Sequence, residues 1–140
     1  MNSLSVDFFS SEFSPSYELE MFELLVDGKP MAAWLMDTND GIPLWLVEDG
    51  LPMWRPHDPH PDPNLRIVTV CGCGEYGCGH SRCTVHIEDA TVVFDDFQGN
   101  VSAAARAIRF VFPLTEYEAV LRQVNEAKAR DATWTLSDLR

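Results

Sequence analysis

The sequence predicts an α+β fold: an antiparallel β-meander, a C-terminal α-helix packed on one face of it, and a cysteine-rich β-hairpin. Three observations predict it. β-rich runs at Arg66–Cys71, Arg82–Ile87 and Thr91–Phe94 are separated only by turn signals. Tyr117, Val120, Leu121, Val124 and Ala127 recur at helical spacing. Joining the first two runs is a glycine-laden stretch, and from Cys71 at the end of one run to Cys83 near the start of the next it spans all four cysteines.

At 140 residues the chain matches about one domain and is long enough to bury a core without staples. Residues 1–16 are rich in Ser and Phe and include Pro15, so they read as a loose N-terminal arm; 17–140 read as a single α+β domain. From Tyr17 to Val26 a period of two favours a strand, with a helix as competitor because Leu19, Phe22 and Val26 also lie at helical spacing. Asp27-Gly28-Lys29-Pro30 is a turn signal, and Met31–Met36 is the expected return strand. Asn39-Asp40-Gly41 marks a further turn before the apolar run Leu44–Val47, which Asp49-Gly50 closes. Pro52–Pro63 holds five prolines and reads as an extended surface loop. Ala103-Ala104-Ala105 fits the start of a short helix, and Arg109–Phe112 a short strand ended by Pro113. Thr115 and Glu118 form a capping box for the final helix, which is expected to stop near Arg130, with Glu118–Arg122 and Glu126–Arg130 as i,i+4 pairs.

The cysteine stretch runs Cys71-Gly72-Cys73-Gly74-Glu75-Tyr76-Gly77-Cys78-Gly79-His80-Ser81-Arg82-Cys83. A regular hairpin centred between Glu75 and Tyr76 sets Cys73 against Cys78 and Cys71 against His80, and alternation puts all four on one face. Three thiolates and an imidazole make a tetrahedral set suited to a structural zinc ion. Cys83 is the substitute fourth ligand, although it shares a face with Val85 and Ile87 and so reads better as a core thiol. A cross-strand Cys73–Cys78 disulfide or redox pair, and plain thiols in a tight turn, are the competing readings. His57 and His60 in the proline-rich loop are further candidate ligands but read first as exposed loop residues, and His86 reads as surface. Asp95-Asp96 and Glu88-Asp89 read as solvated turn acids, since neighbours on a strand point opposite ways. No nucleophile elbow, phosphate loop, dinucleotide fingerprint or zincin motif is present.

Charge carries the rest. The net charge is −12, and residues 1–65 hold twelve acids against only Lys29 and Arg55. Such a field repels phosphate backbones and anionic lipid surfaces, which argues against nucleic-acid or membrane partners and for a basic protein. An acidic balance that serves only solubility is the plainer alternative. The first basic residue is Lys29 and no apolar run reaches membrane-spanning length, so the expected compartment is the cytoplasm.

Cys73-Gly74-Glu75-Tyr76-Gly77-Cys78, Phe94-Asp95-Asp96-Phe97 and Phe112-Pro113-Leu114-Thr115-Glu116-Tyr117 together resemble small bacterial proteins with a C-G-x-x-G-C turn between two strands. The resemblance covers roughly 66–121, implies a bacterial or phage-related origin and brings no activity with it. By analogy, small acidic bacterial proteins include immunity proteins and antitoxins. The expectation is therefore a non-enzymatic, immunity- or inhibitor-type module with a zinc knuckle. Its acidic half would bind a basic partner through Glu18, Glu20, Asp58, Asp62 and an exposed Trp54. The alternative is a small metal- or thiol-dependent enzyme centred on Cys71, Cys73, Cys78 and His80, and a nucleotide-like target comes third.

Overall fold

A computed structural model of the chain describes residues 1–14, 17–37, 39–47, 50–52, 63–71 and 79–138, with 11–14, 17–19 and 131–138 described for their backbone alone. Strands β1 (Leu4–Ser14) and β2 (Tyr17–Val26) are antiparallel, with Leu4 set against Val26, Phe8 against Phe22 and Glu12 against Glu18. The expected loose arm is therefore a strand through Ser14. Leu4, Val6 and Phe8 alternate with Ser5 and Asp7, and the apolar set meets Phe22, Leu24 and Val26, with the Phe8 and Phe22 rings 6.3 Å apart.

The turn after β2 is the one expected. Asp27 (φ 51°) and Gly28 (φ 80°) form a two-residue link with both residues left-handed, the hairpin geometry that favours Asp-Gly. It leads into β3 (Lys29–Pro30), which is only two residues long. The predicted return strand is instead helix α1 (Met31–Trp34). Pro30 has no N–H to extend a ladder, and Met-Ala-Ala favours the helical state. β4 (Ile42–Pro43) then pairs with β2, and a 3₁₀ turn follows at Leu44–Leu46.

β5 (Leu65–Val70), β6 (His80–Glu88), β7 (Thr91–Gly99) and β8 (Phe110–Pro113) form a second antiparallel sheet in sequential order, as the meander reading expects. The chain thus has two sheets, β1–β4 and β5–β8, rather than one. Two register shifts flank the first half of β6: one against β5 at Ile67/Thr69, one against β7 at Arg82/Thr84. The second answers a puzzle of spacing. Phe94 and Phe97 are three apart, so an unbroken strand would point them to opposite faces, yet both are fully buried in the same core. Asp96, at φ 55°, absorbs the extra residue and resets the alternation.

The sheets are stitched at two seams. At one, Asn2 N–H donates to Val111 O at 2.8 Å, joining the start of β1 to β8. At the other, Asp40 N–H donates to Val70 O and Val70 N–H to Gly41 O, both at 3.0 Å, joining the segment before β4 to β5. Gly41 has no room for a side chain, because a Cβ would stand 2.0 Å from Phe22 O.

Helix α2 (Leu114–Asp138) closes the core. Val120, Val124 and Ala127 are buried, and Tyr117 and Leu121 pack against the same cluster, so the predicted stripe is the packing face. Each fully buried valine contributes roughly 2 kcal/mol of transfer free energy. The helix starts at Leu114, which places Thr115 inside the first turn rather than at the cap, and it continues beyond Arg130. No Gly or Pro lies between 114 and 138 to stop it. The Ala103–Ala105 expectation corresponds to a 3₁₀ turn at Ala105–Ala107.

Candidate functional site

Of the cysteine cluster, Cys73 and Cys78 lie outside the described residues, as do Trp54, His57, Asp58, His60 and Asp62. The predicted cysteine-rich hairpin itself lies outside the described residues; at the adjoining ends of β5 and β6 the register differs from the expected one. His80 stands opposite Val70, and Cys71 N–H donates to Gly79 O at 2.8 Å. The bulge at Ile67/Thr69 has shifted the pairing by one residue, so Cys71 and His80 fall out of phase across the pair. His80 Nε2 lies 3.1 Å from Arg82 Nη1. Cys83 is fully buried in the main core; desolvation first, then the Asp95 carboxylate, pushes its thiol well above the ordinary value. It belongs to the core rather than to a ligand set. Among the described residues no cluster of three or more His, Cys, Asp or Glu side chains is arranged to hold a metal ion.

Between the seam and the bulges lies a polar cluster that sequence reasoning missed. Thr69 Oγ1 and Ser81 Oγ contact one another and donate to Asp37 Oδ2 at 2.5 and 2.7 Å. Asp37 Oδ1 accepts from Asn39 N–H at 2.7 Å, an Asx turn. Thr69 and Ser81 are buried, so these hydroxyls are satisfied structural groups rather than exposed nucleophiles. Their effect is to pin Asp37 and Asn39 to β5 and β6, and with them the position of Asp40.

Asp40 completes the feature that sets the two sheets apart electrostatically. The β1–β2 register puts Asp7 directly opposite Glu23. Like charges facing across a strand pair cost stability. Burial, then the Asp7 and Asp40 carboxylates, raise Glu23 above its ordinary value. On the same strand Glu20 is exposed and accepts from Ser10 Oγ at 2.8 Å. Glu18 lies farther along β2, opposite Glu12 in the register. On the second sheet two of the acids are answered. Glu88 and Asp95 lie 3.6 and 3.9 Å from Arg109, and His86 is 3.5 Å from Asp95. No ion pair among the described residues involves an acid from residues 1–65, and Lys29 Nζ sits 4.7 Å over the Trp34 ring.

A wide groove of about 580 Å³ runs along α2, lined by Glu118, Leu121, Arg122, Asn125, Glu126 and Ala129. Its lining alternates charges of both signs and joins no nucleophile to a base. No helix among the described residues is long and apolar enough to cross a membrane. Comparison with protein-family models, with curated proteins and with solved structures found no significant match.

Proposed function

We propose that this protein is a non-enzymatic binding module whose acidic first sheet engages a basic protein partner, as an immunity or inhibitor protein would. The observation that carries the reading is the Asp7–Glu23 pair. Two carboxylates are held in direct register, with Asp40 beside them and no cation to answer them among the described residues. A fold that bears such a repulsion is complementary to incoming positive charge, which relieves it on binding. Glu20, and Glu18 at its place in the register, extend the same acidic strand. A zinc ion held by Cys71, Cys73, Cys78 and His80 is a separate proposal, which rests on the thiolate and imidazole chemistry of that stretch.

The test is a labelled Lys-rich peptide titrated against the full chain at about 50 and about 300 mM salt, a range over which screening removes most exposed attraction. Binding that weakens steeply with salt, and that weakens again in the Asp7→Asn/Glu23→Gln variant, supports the reading. Salt-independent binding, or none at low salt, defeats it. Metal content of the purified protein, measured with and without Cys73→Ser, tests the zinc proposal separately; metal-free folded protein refutes it.

A further inference from the structure

β1 has a strand on one side only among the described residues, and its outer row of backbone groups can be followed rung by rung. Asp27 N–H donates to Ser3 O at 2.9 Å, so odd-numbered residues near the start of β1 turn their backbone groups toward β2 and even-numbered residues turn theirs away. The first two outward rungs are occupied. Asn2 N–H bonds to Val111 O at 2.8 Å, and Leu4 N–H bonds to the Glu116 carboxylate at 2.8 Å. From Val6 onward, through Phe8 and Ser10, the outward N–H and C=O groups meet no partner among the described residues. Ser5, Asp7, Phe8 and Ser10 are exposed, so solvent reaches this edge.

Open edges of this length are ordinarily blunted by lysine or proline. The β1 sequence Leu-Ser-Val-Asp-Phe-Phe-Ser-Ser-Glu-Phe-Ser contains neither. We propose that an extended cationic segment of a protein partner adds to the free edge of β1 as a further strand, with lysine or arginine on the Asp7 face and apolar residues opposite Val6 and Phe8. This rests on the acidic-partner reading and specifies how that partner is held. Main-chain bonds to Val6, Phe8 and Ser10 supply the grip, and alternation supplies the selectivity. A second copy of the chain is the poorer occupant. Pairing two β1 edges would bring together two strands bearing Asp7 and Glu12, from chains that each carry −12.

The experiment uses the full chain and a short labelled peptide of alternating Lys and Val. A second peptide of the same sequence and charge is N-methylated at alternate amides, so that one edge can no longer donate. Ser10→Pro deletes an outward N–H at a position where the strand loses no bond to β2, and Ser10→Ala controls for the hydroxyl. The inference expects the plain peptide to protect the Val6 and Phe8 amides from hydrogen exchange. It also expects the Ser10→Pro variant to lose about fivefold in affinity, the equivalent of one net hydrogen bond, the methylated peptide, which forfeits several donors, to lose more than that, and Ser10→Ala to be unchanged. Equal binding of both peptides, with no protection of those amides, overturns strand addition while leaving the acidic reading intact. No binding of either peptide at low salt overturns both. A concentration-dependent dimer that disappears in Ser10→Pro assigns the edge to a second copy and also overturns the proposal. Should Ser10→Pro not fold, the peptide pair alone decides.

Discussion

Gly41→Ala tests the seam between the sheets. In the native structure a Cβ at this position would lie 2.0 Å from Phe22 O, 2.8 Å from Phe22 C and 3.2 Å from Glu23 Cα, all main-chain atoms of β2. Ordinary van der Waals contact begins near 3.4 Å, so the segment must retreat from β2 by more than an ångström. That retreat strains the two 3.0 Å hydrogen bonds that tie Asp40 and Gly41 to Val70. Each is worth about 1 kcal/mol net, and leaving the N–H of buried Val70 unsatisfied adds about 1–2 kcal/mol, giving about 3 kcal/mol in all. For a chain of this size that is roughly a 10 °C fall in Tm. The control is Gly28→Ala, where nothing lies within 4 Å and only the φ of 80° opposes a side chain; it should cost about 1 kcal/mol. Urea unfolding followed by tryptophan fluorescence gives both numbers. If Gly41→Ala costs no more than Gly28→Ala, the close approach is not what holds the seam.

Two further outcomes follow from the same geometry. Glu23→Gln should raise stability at pH 7 by about 0.5 kcal/mol, by removing one of two facing carboxylates. Because Glu23 is raised in the folded state, its contribution is complete below the ordinary value of 4.5 and is lost as pH rises through the folded value, so the gain should vanish near pH 3.5; an equal gain at both pH values would contradict the cause given. Cys83, buried and with its thiol pushed up, should resist alkylation in the native protein and react only in denaturant, as read by peptide mass mapping. Labelling of Cys83 at the rate of half-exposed Cys71 would show that the core opens there.

The second half of the chain was legible because its signals are local. Alternation in Arg82–Ile87, the two-residue turn before Thr91 and the helical stripe from Tyr117 each depend on residues close in sequence. β1 was misread because Ser and Asp are weak strand formers, yet its signal was present. Leu4, Val6 and Phe8 mirror Val26, Leu24 and Phe22 across the β1–β2 pairing. The bulges were not legible, since an extra residue in a strand leaves no mark in composition; Phe94 and Phe97 at an odd spacing were the only hint. The same limit hid the acidic site. Charge counting located the acids in the first half, but only the register sets Asp7 against Glu23, and only the Asp37–Thr69–Ser81 cluster fixes Asp40 beside them.

The two seams also give the molecule a history. Within each sheet most neighbouring strands are neighbours in sequence, so both sheets can assemble from fast hairpin closures. The Asn2–Val111 contact joins residues 109 apart and the Leu4–Glu116 bond residues 112 apart, loops long enough to place both late on any folding route. What forms last through a few backbone bonds is also what opens first under native conditions. The two sheets should therefore part first at their stitched edges while the strand pairing within each stays whole.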